Sequence, residues 1–508
     1  MATWPRSAVS TPPQGRAFPR KHACCLARAR DRAKFPTPTP HMVTVLNICI
    51  VVALFNVIIF VHELGHFLAA RWRGLRVDRF QIWFGKPLWK KEINGVQYGI
   101  GWIPFGGFVA LPQMAPMEAV EGKNRDEEDT LPPVKPLDKI IVAFAGPLFS
   151  FLLALVSALV VTAVGKPRDF VESTTIGFVP QGGVAEKAGL QVGDEIVAVN
   201  GVEVNGFIGS TAFNSVRESV MLSEGDEIEF MVKRGGKEIP VTTKFEIPET
   251  NWWQRNGLRT VGIGVENETV LGYIYPDGPA AKAGLVKGDK VISVEGEVLH
   301  SFRRFSEIIE ASDSDELNLV ILRGEETINK MVTPRTPTNL ENAKAMIGVG
   351  FGDSGEFTTT IYHPGPFEQV GDSVRMMWVT IAKIASPDSD VGIQHLSGPV
   401  GIGKVMYQML GTEDGWRRLL FFLVLFNVNL AILNMLPLPI LDGGHIVLAI
   451  GEFLAGRPIK ARLLEVVQFA FFFLLIGLFL FITTKDIGDS FGGGPKGPEK
   501  LEWPTEGS

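Results

Sequence analysis

The sequence predicts a polytopic α-helical membrane protein with two small helix-and-strand modules inserted between its second and third spans. Three observations predict it. Four windows carry no charged residue over about the ~20 residues that cross a bilayer. Part of the hydrophilic middle is duplicated. Hydrophobic residues make up 46% of the 508 and charged residues only 20%. The net charge of -6, without a long basic block, gives no sign of a nucleic-acid partner. The three cysteines, Cys24, Cys25 and Cys49, all precede that middle. Neither a disulfide framework nor a cysteine-held zinc is available, so any metal is held by His, Asp or Glu.

Residues 1–41 hold eight Arg or Lys against one Asp and lack apolar periodicity. They read as a mis-assigned start, with Met42 the initiator, or as a transit peptide. Residues 42–166 contain two spans, with 19 uncharged residues at 43–61 and 26 at 140–165. Between them Arg71, Arg73, Arg76, Arg79, Lys86, Lys90 and Lys91 face one nearby acid, Asp78. Spans three and four lie in 416–485, at 419–441 and 466–484, joined by a loop with Arg457, Lys460 and Arg462. Both basic loops are expected in the cytoplasm. The middle of the chain and the acidic tail, 486–508, then fall on the far side.

The middle repeats itself. Lys187-Ala-Gly-Leu190 followed by Gly193-Asp194 recurs as Lys282-Ala-Gly-Leu285 followed by Gly288-Asp289. Each copy shows a short helix ending at glycine, a turn and an alternating strand. This A-G-L-x-x-G-D pattern resembles PDZ domains in their circularly permuted arrangement, α+β folds with a partly open barrel. The resemblance implies modules at 170–247 and 258–335. A PDZ domain adds an extended peptide to a sheet edge. The expected carboxylate loops are Gly177, Phe178 and Val179 in the first copy and Gly272, Tyr273 and Ile274 in the second. Residues 336–415 form a linker with an amphipathic stretch after Gly365-Pro366-Phe367.

The first span ends in His62-Glu63-Leu64-Gly65-His66, an H-E-x-x-H pattern. On a helix the two histidines lie one turn apart on one face. They can chelate a zinc ion, with Glu63 placed as general base toward its water. Ionisable groups directly after an apolar run are costly unless paired or metal-bound. A catalytic zinc needs a third protein ligand. Asp442 and His445 both follow the third span, after Asn434-Met-Leu-Pro437-Leu-Pro439. Both prolines end regular helix there.

His62–His66 together with the N-x-x-P-x-P-x-L-D-G-G run from Asn434 resemble the site-2 protease family of intramembrane zinc metalloproteases. The likeness runs from about Met42 to the end of span four, and is to the bacterial form with four spans and two periplasmic PDZ domains. It implies one Zn²⁺ per chain held by His62, His66 and Asp442, Glu63 as catalytic base, and Asn434 bonded to the substrate backbone, with Pro437 and Pro439 beside it. It also implies that the segment from Tyr98 to Val109, with Gly99 and Gly101, is a membrane-associated β-hairpin against which a substrate strand lies. Ser397-Gly-Pro-Val-Gly-Ile402 matches a further family segment. The family's A-G-P-x-x-N element reads Ala145-Gly-Pro-Leu-Phe-Ser150, a departure at the last position. The implied substrates are single-span membrane proteins, such as anti-sigma factors and remnant signal peptides, in the bacterial inner membrane. The PDZ pair would act as a size filter, and the site would lie near the cytoplasmic side of the bilayer. The rival reading is a non-catalytic membrane scaffold whose PDZ pair binds peptide tails.

Overall fold

The computed structural model describes residues 40–114, 134–209, 214–312, 315–340, 343–351, 358–456, 461–491 and 501–504. The expected start or targeting segment therefore lies almost wholly outside the described residues, as do Arg457, Lys460 and most of the tail. Helix α1 (Pro40–Trp72) leads into strands β1 (Arg79–Ile93) and β2 (Val96–Ala110), then helix α2 (Pro136–Val164). Strand β3 (Lys166–Phe170) leaves the second span.

The first inserted unit contains β4 (Ile176–Phe178), α3 (Val184–Ala188), β5 (Glu195–Val199), β6 (Val202–Glu203), α4 (Val216–Met221), β7 (Ile228–Arg234), β8 (Lys237–Thr243) and β9 (Gly264–Val265). The second contains β10 (Thr269–Ile274), α5 (Pro279–Lys282), β11 (Lys290–Val294), β12 (Glu297–Val298), α6 (Phe302–Ala311), β13 (Leu317–Arg323), β14 (Glu326–Val332) and β15 (Val349–Phe351). Strand β16 (Thr358–Tyr362) returns to the spans through α7 (Pro366–Ala385), α8 (Pro399–Leu410), α9 (Gly415–Asn434), α10 (Asp442–Ala455) and α11 (Ala461–Phe491).

Among the described residues, α1, α2, α9 and α11 are long and apolar enough to cross a membrane. Helix α2 is the hub, packing on α9, α10 and α7. Its Ala154 and Ala158 admit Val424 and Val428 of α9, small against β-branched side chains at a close crossing. Strands β1 and β2 form more than a hairpin. Residues 79–82 pair on one side with 97–100 and on the other with 107–110, while 97–100 also pair with the far end of β1. The segment expected as a hairpin from Tyr98 to Val109 is instead split across both sides of β1, and 107–110 is left as an edge.

The duplicated motif has a structural cause. Asp194 and Asp289 are buried, and each accepts a turn N–H, from Gln191 and Val286, at 2.9 Å. Each also takes a two-pronged arginine, Arg234 in the first unit and Arg323 in the second, which reaches on to the carbonyl of Gly189 or Gly284. In both units the Gly-Asp element thus locks a turn to a strand.

The units end later than the expected 247 and 335. Strand β9 pairs with β4, and Val261 and Val265 belong to the first core. Strand β15 pairs with β10, and Ile347 belongs to the second core. Sequence spacing located the repeated half of each unit. Its closing strand is short, and long-range pairing places it in the unit. Outside both units, β3 and β16 pair along their length, so the insertion enters and leaves through one ribbon.

Candidate metal centre

Helix α1 carries His62 and His66 on one face, and their Nε2 atoms stand 3.3 Å apart. Asp442 begins α10 and places one carboxylate oxygen 3.3 Å from His62 Nε2 and the other 3.4 Å from His66 Nε2. The chain reaches this position through the turn at 435–441. The carbonyl of Pro439 in that turn accepts from Gln468 of α11 at 3.1 Å. Gly443 and Gly444 sit under the same turn. A Cβ on either would run into its carbonyls, those of Met435 and Leu438, so glycine lets the turn fold onto the start of α10.

The outward nitrogens are also engaged. His66 donates from Nδ1 to the Val142 carbonyl at 2.8 Å, and His62 Nδ1 lies 3.0 Å from Ser150 Oγ. A carbonyl only accepts, so the neutral His66 ring carries its proton on Nδ1 and presents a lone pair at Nε2. Three electron-rich atoms therefore face one another in a largely buried place. Tetrahedral N and O ligands at about 2.0–2.1 Å from zinc stand about 3.3–3.4 Å from one another. The histidine pair matches that spacing, Asp442 meets each ring with a separate oxygen, and one ligand atom from each of the three lies within 4.8 Å of the others, so this donor set fits the ion. Among the described residues it is the one group of three such side chains close enough to share a cation.

Beside it is a cavity of about 280 Å³. Glu63, Asn434, His445 and residues Gly107, Phe108 and Val109 of the β2 edge line it. His445, the rival ligand in sequence, lies in this wall and outside the three-atom cluster. Gly99 and Gly101 are elsewhere on the sheet. Gly99 pairs with Gln81 and Lys90, and Gly101 with Pro87. The glycine that brings β2 to the site is Gly107, whose missing Cβ would lie 3.2 Å from Glu63 Cγ. Pro437 and Pro439 shape the turn rather than the cavity lining.

The expected carboxylate loops fall on strands that already have neighbours. Gly177 and Phe178 lie in β4 beside β9, and Val179 packs on the first core. Gly272, Tyr273 and Ile274 lie in β10, which pairs with β15. Beside the first unit is a cavity of about 510 Å³ between α4 and residues 258–265, lined also by Arg217 of α4 and by Arg303 of α6 in the second unit. The sequence held a signal for this: Val261-Gly-Ile-Gly264 recurs as Ile347-Gly-Val-Gly350.

The family profile described as peptidase family M50 matches residues 50–478. The chain is 31% identical over 462 residues to Protease RseP of Yersinia pestis, covering 85% of this chain and 96% of that protein. It is 30% identical over 453 residues to the regulator of sigma-E protease RseP of Escherichia coli (strain K12), with coverages of 85% and 96%. Among solved structures, the PDZ domain of an SdrC-like protein of Listeria innocua aligns at 18% identity. It covers 16% of this chain and 92% of its own, with a TM-score of 0.15.

Proposed function

The chain belongs to peptidase family M50, the site-2 type of zinc metalloprotease, and we propose that it hydrolyses a peptide bond within the transmembrane segment of single-span membrane proteins. The observation that carries this reading is the His62, His66 and Asp442 cluster at zinc spacing beside an apolar span. A Zn²⁺ bound there would be held by His62, His66 and Asp442 and would supply Lewis acidity toward the scissile carbonyl and the attacking water. Glu63, in the wall of the same cavity, takes a proton from that water and returns it to the departing nitrogen. A transmembrane helix satisfies its own backbone, so the substrate must unwind to be cut. The edge at 107–110 offers N–H and C=O groups to the unwound strand in exchange, and the Asn434 amide adds a donor and an acceptor. Glu63→Gln keeps the metal and loses the base. Its turnover of a purified single-span substrate should fall by at least about 10²-fold, with zinc content unchanged. Turnover like wild type would remove Glu63 from this role.

The two inserted units read as permuted PDZ domains on the far side of an inner membrane. The repeated Gly-Asp lock and the groove beside α4 support this. They are proposed to hinder substrates that carry a folded extramembrane domain. Such a substrate and its trimmed form, given to the intact enzyme, should differ in cleavage rate in favour of the trimmed one. Equal rates would remove the filter.

A further inference from the structure

Helix α2 does more than pack against α1. It runs back along the first span with Val142, Gly146 and Ser150 spaced four apart, on one face. Val142 meets His66 and Ser150 meets His62, about two turns of α2 against one turn of α1. Gly146 lies between them, directly beneath the His66 ring, where a Cβ would strike Nε2. A Cβ on Gly65 of α1 would likewise strike the Ala145 carbonyl. These two glycines set a helix separation small enough for a serine, one of the shortest polar side chains, to reach an imidazole.

Ser150 is fully buried and 88 residues from His62 in sequence. With a metal bound at His62 Nε2, the ring proton would be on Nδ1 and the serine oxygen would accept it. The imidazole is thereby fixed in rotation and in tautomer, with its lone pair aimed at the other two donors. Resting on the zinc-protease reading above, we propose that Ser150 is a positioning residue that holds His62 as a metal ligand through its hydroxyl. His66 is held in the corresponding way by the Val142 carbonyl, which no side-chain substitution removes. The two ligands therefore differ in how they can be disturbed. Ser150 also stands where the chain departs from the family's A-G-P-x-x-N element, so the departure leaves a hydrogen-bonding partner at the histidine.

The test compares wild type, Ser150→Ala and Ser157→Ala in the full-length detergent-solubilised protein. Ser157 is a second buried serine on the same helix, away from both histidines. Zinc affinity is read by competition with a chelator, and the cobalt-substituted forms are compared by their ligand-field absorption. Ser150→Ala should bind zinc about 10–100-fold more weakly, the usual effect of losing an outer hydrogen-bond partner, with shifted cobalt bands. Ser157→Ala should match wild type in both. Wild-type affinity and bands in Ser150→Ala would overturn the proposal, as would an equal loss in Ser157→Ala, which would indicate packing alone. Failure of wild type itself to bind zinc would instead overturn the metalloprotease site on which the proposal rests.

Discussion

At the scale of single residues, the site depends on which atoms face inward. Asp442 supplies a charge and bridges both histidines with separate oxygens. Asp442→Asn keeps the volume but removes that charge, so zinc affinity should fall by more than the ~10–100-fold typical of a lost supporting contact. Unchanged affinity in a chelator competition would move the third ligand to His445. Gly146→Ala tests the opposite kind of change. Alanine is the better helix former by about 1 kcal/mol, yet its methyl would displace the His66 ring from Asp442. The variant should fold and emerge from gel filtration without zinc; full zinc occupancy would show that the ring has room. The H-E-x-x-H pair and Asp442 were legible in sequence because each stands at the end of an apolar run where a charge needs a reason. Ser150 was visible only as a departure from a pattern. A hydroxyl has no sequence signature for the ring it will meet.

At the scale of elements, the repeat was legible because the buried aspartate needs the same glycine and the same turn in each copy. Removing Arg234 or Arg323 leaves that carboxylate buried and unpaired. Arg234→Ala and Arg323→Ala should each lower the stability of their own unit by more than the loss of a surface ion pair does, because the aspartate left behind is buried. Hydrogen exchange across β5 and β7, or β11 and β13, measures it. An effect below about 0.5 kcal/mol, as for a surface pair, would contradict the lock. The closing strands β9 and β15 escaped the sequence reading because each is two or three residues long. Their partners β4 and β10 are the segments expected as carboxylate loops. For the 15-residue β1 and β2 the hidden feature was register: the glycines are visible in sequence, but their split across two sides of one strand is set by pairing.

At the scale of the whole molecule, the end of the fourth span is a junction. Asp486 of α11 is buried and accepts from the backbone N–H groups of Gly398 at 3.1 Å and Gly401 at 2.8 Å. It also pairs with Arg255 from the chain between the two inserted units. Arg255 reaches Asp489 and the carbonyls of Gln394 and Leu396 as well. A Cβ at Gly398 or Gly401 would press on the Asp486 carboxylate, which gives the Ser397-Gly-Pro-Val-Gly-Ile402 segment a physical reason for its glycines. Arg255 also lines the groove beside α4, so that groove and the fourth span share one residue. Asp486→Asn should raise hydrogen exchange at 252–258 and 392–401 together, with zinc content unchanged. Faster exchange in only one of the two segments would show that they are not joined through this carboxylate.

The sequence by itself determined the spans, the duplicated Gly-Asp turn and the histidine pair with two candidates for a third ligand, because apolar length, a recurring turn and misplaced charge are local properties of a chain. Tertiary structure alone decided which face of α2 supports the histidines, which strand edge stays open and where the fourth span is fastened. Those depend on how closely two distant backbones approach, and that distance is set by packing across the fold.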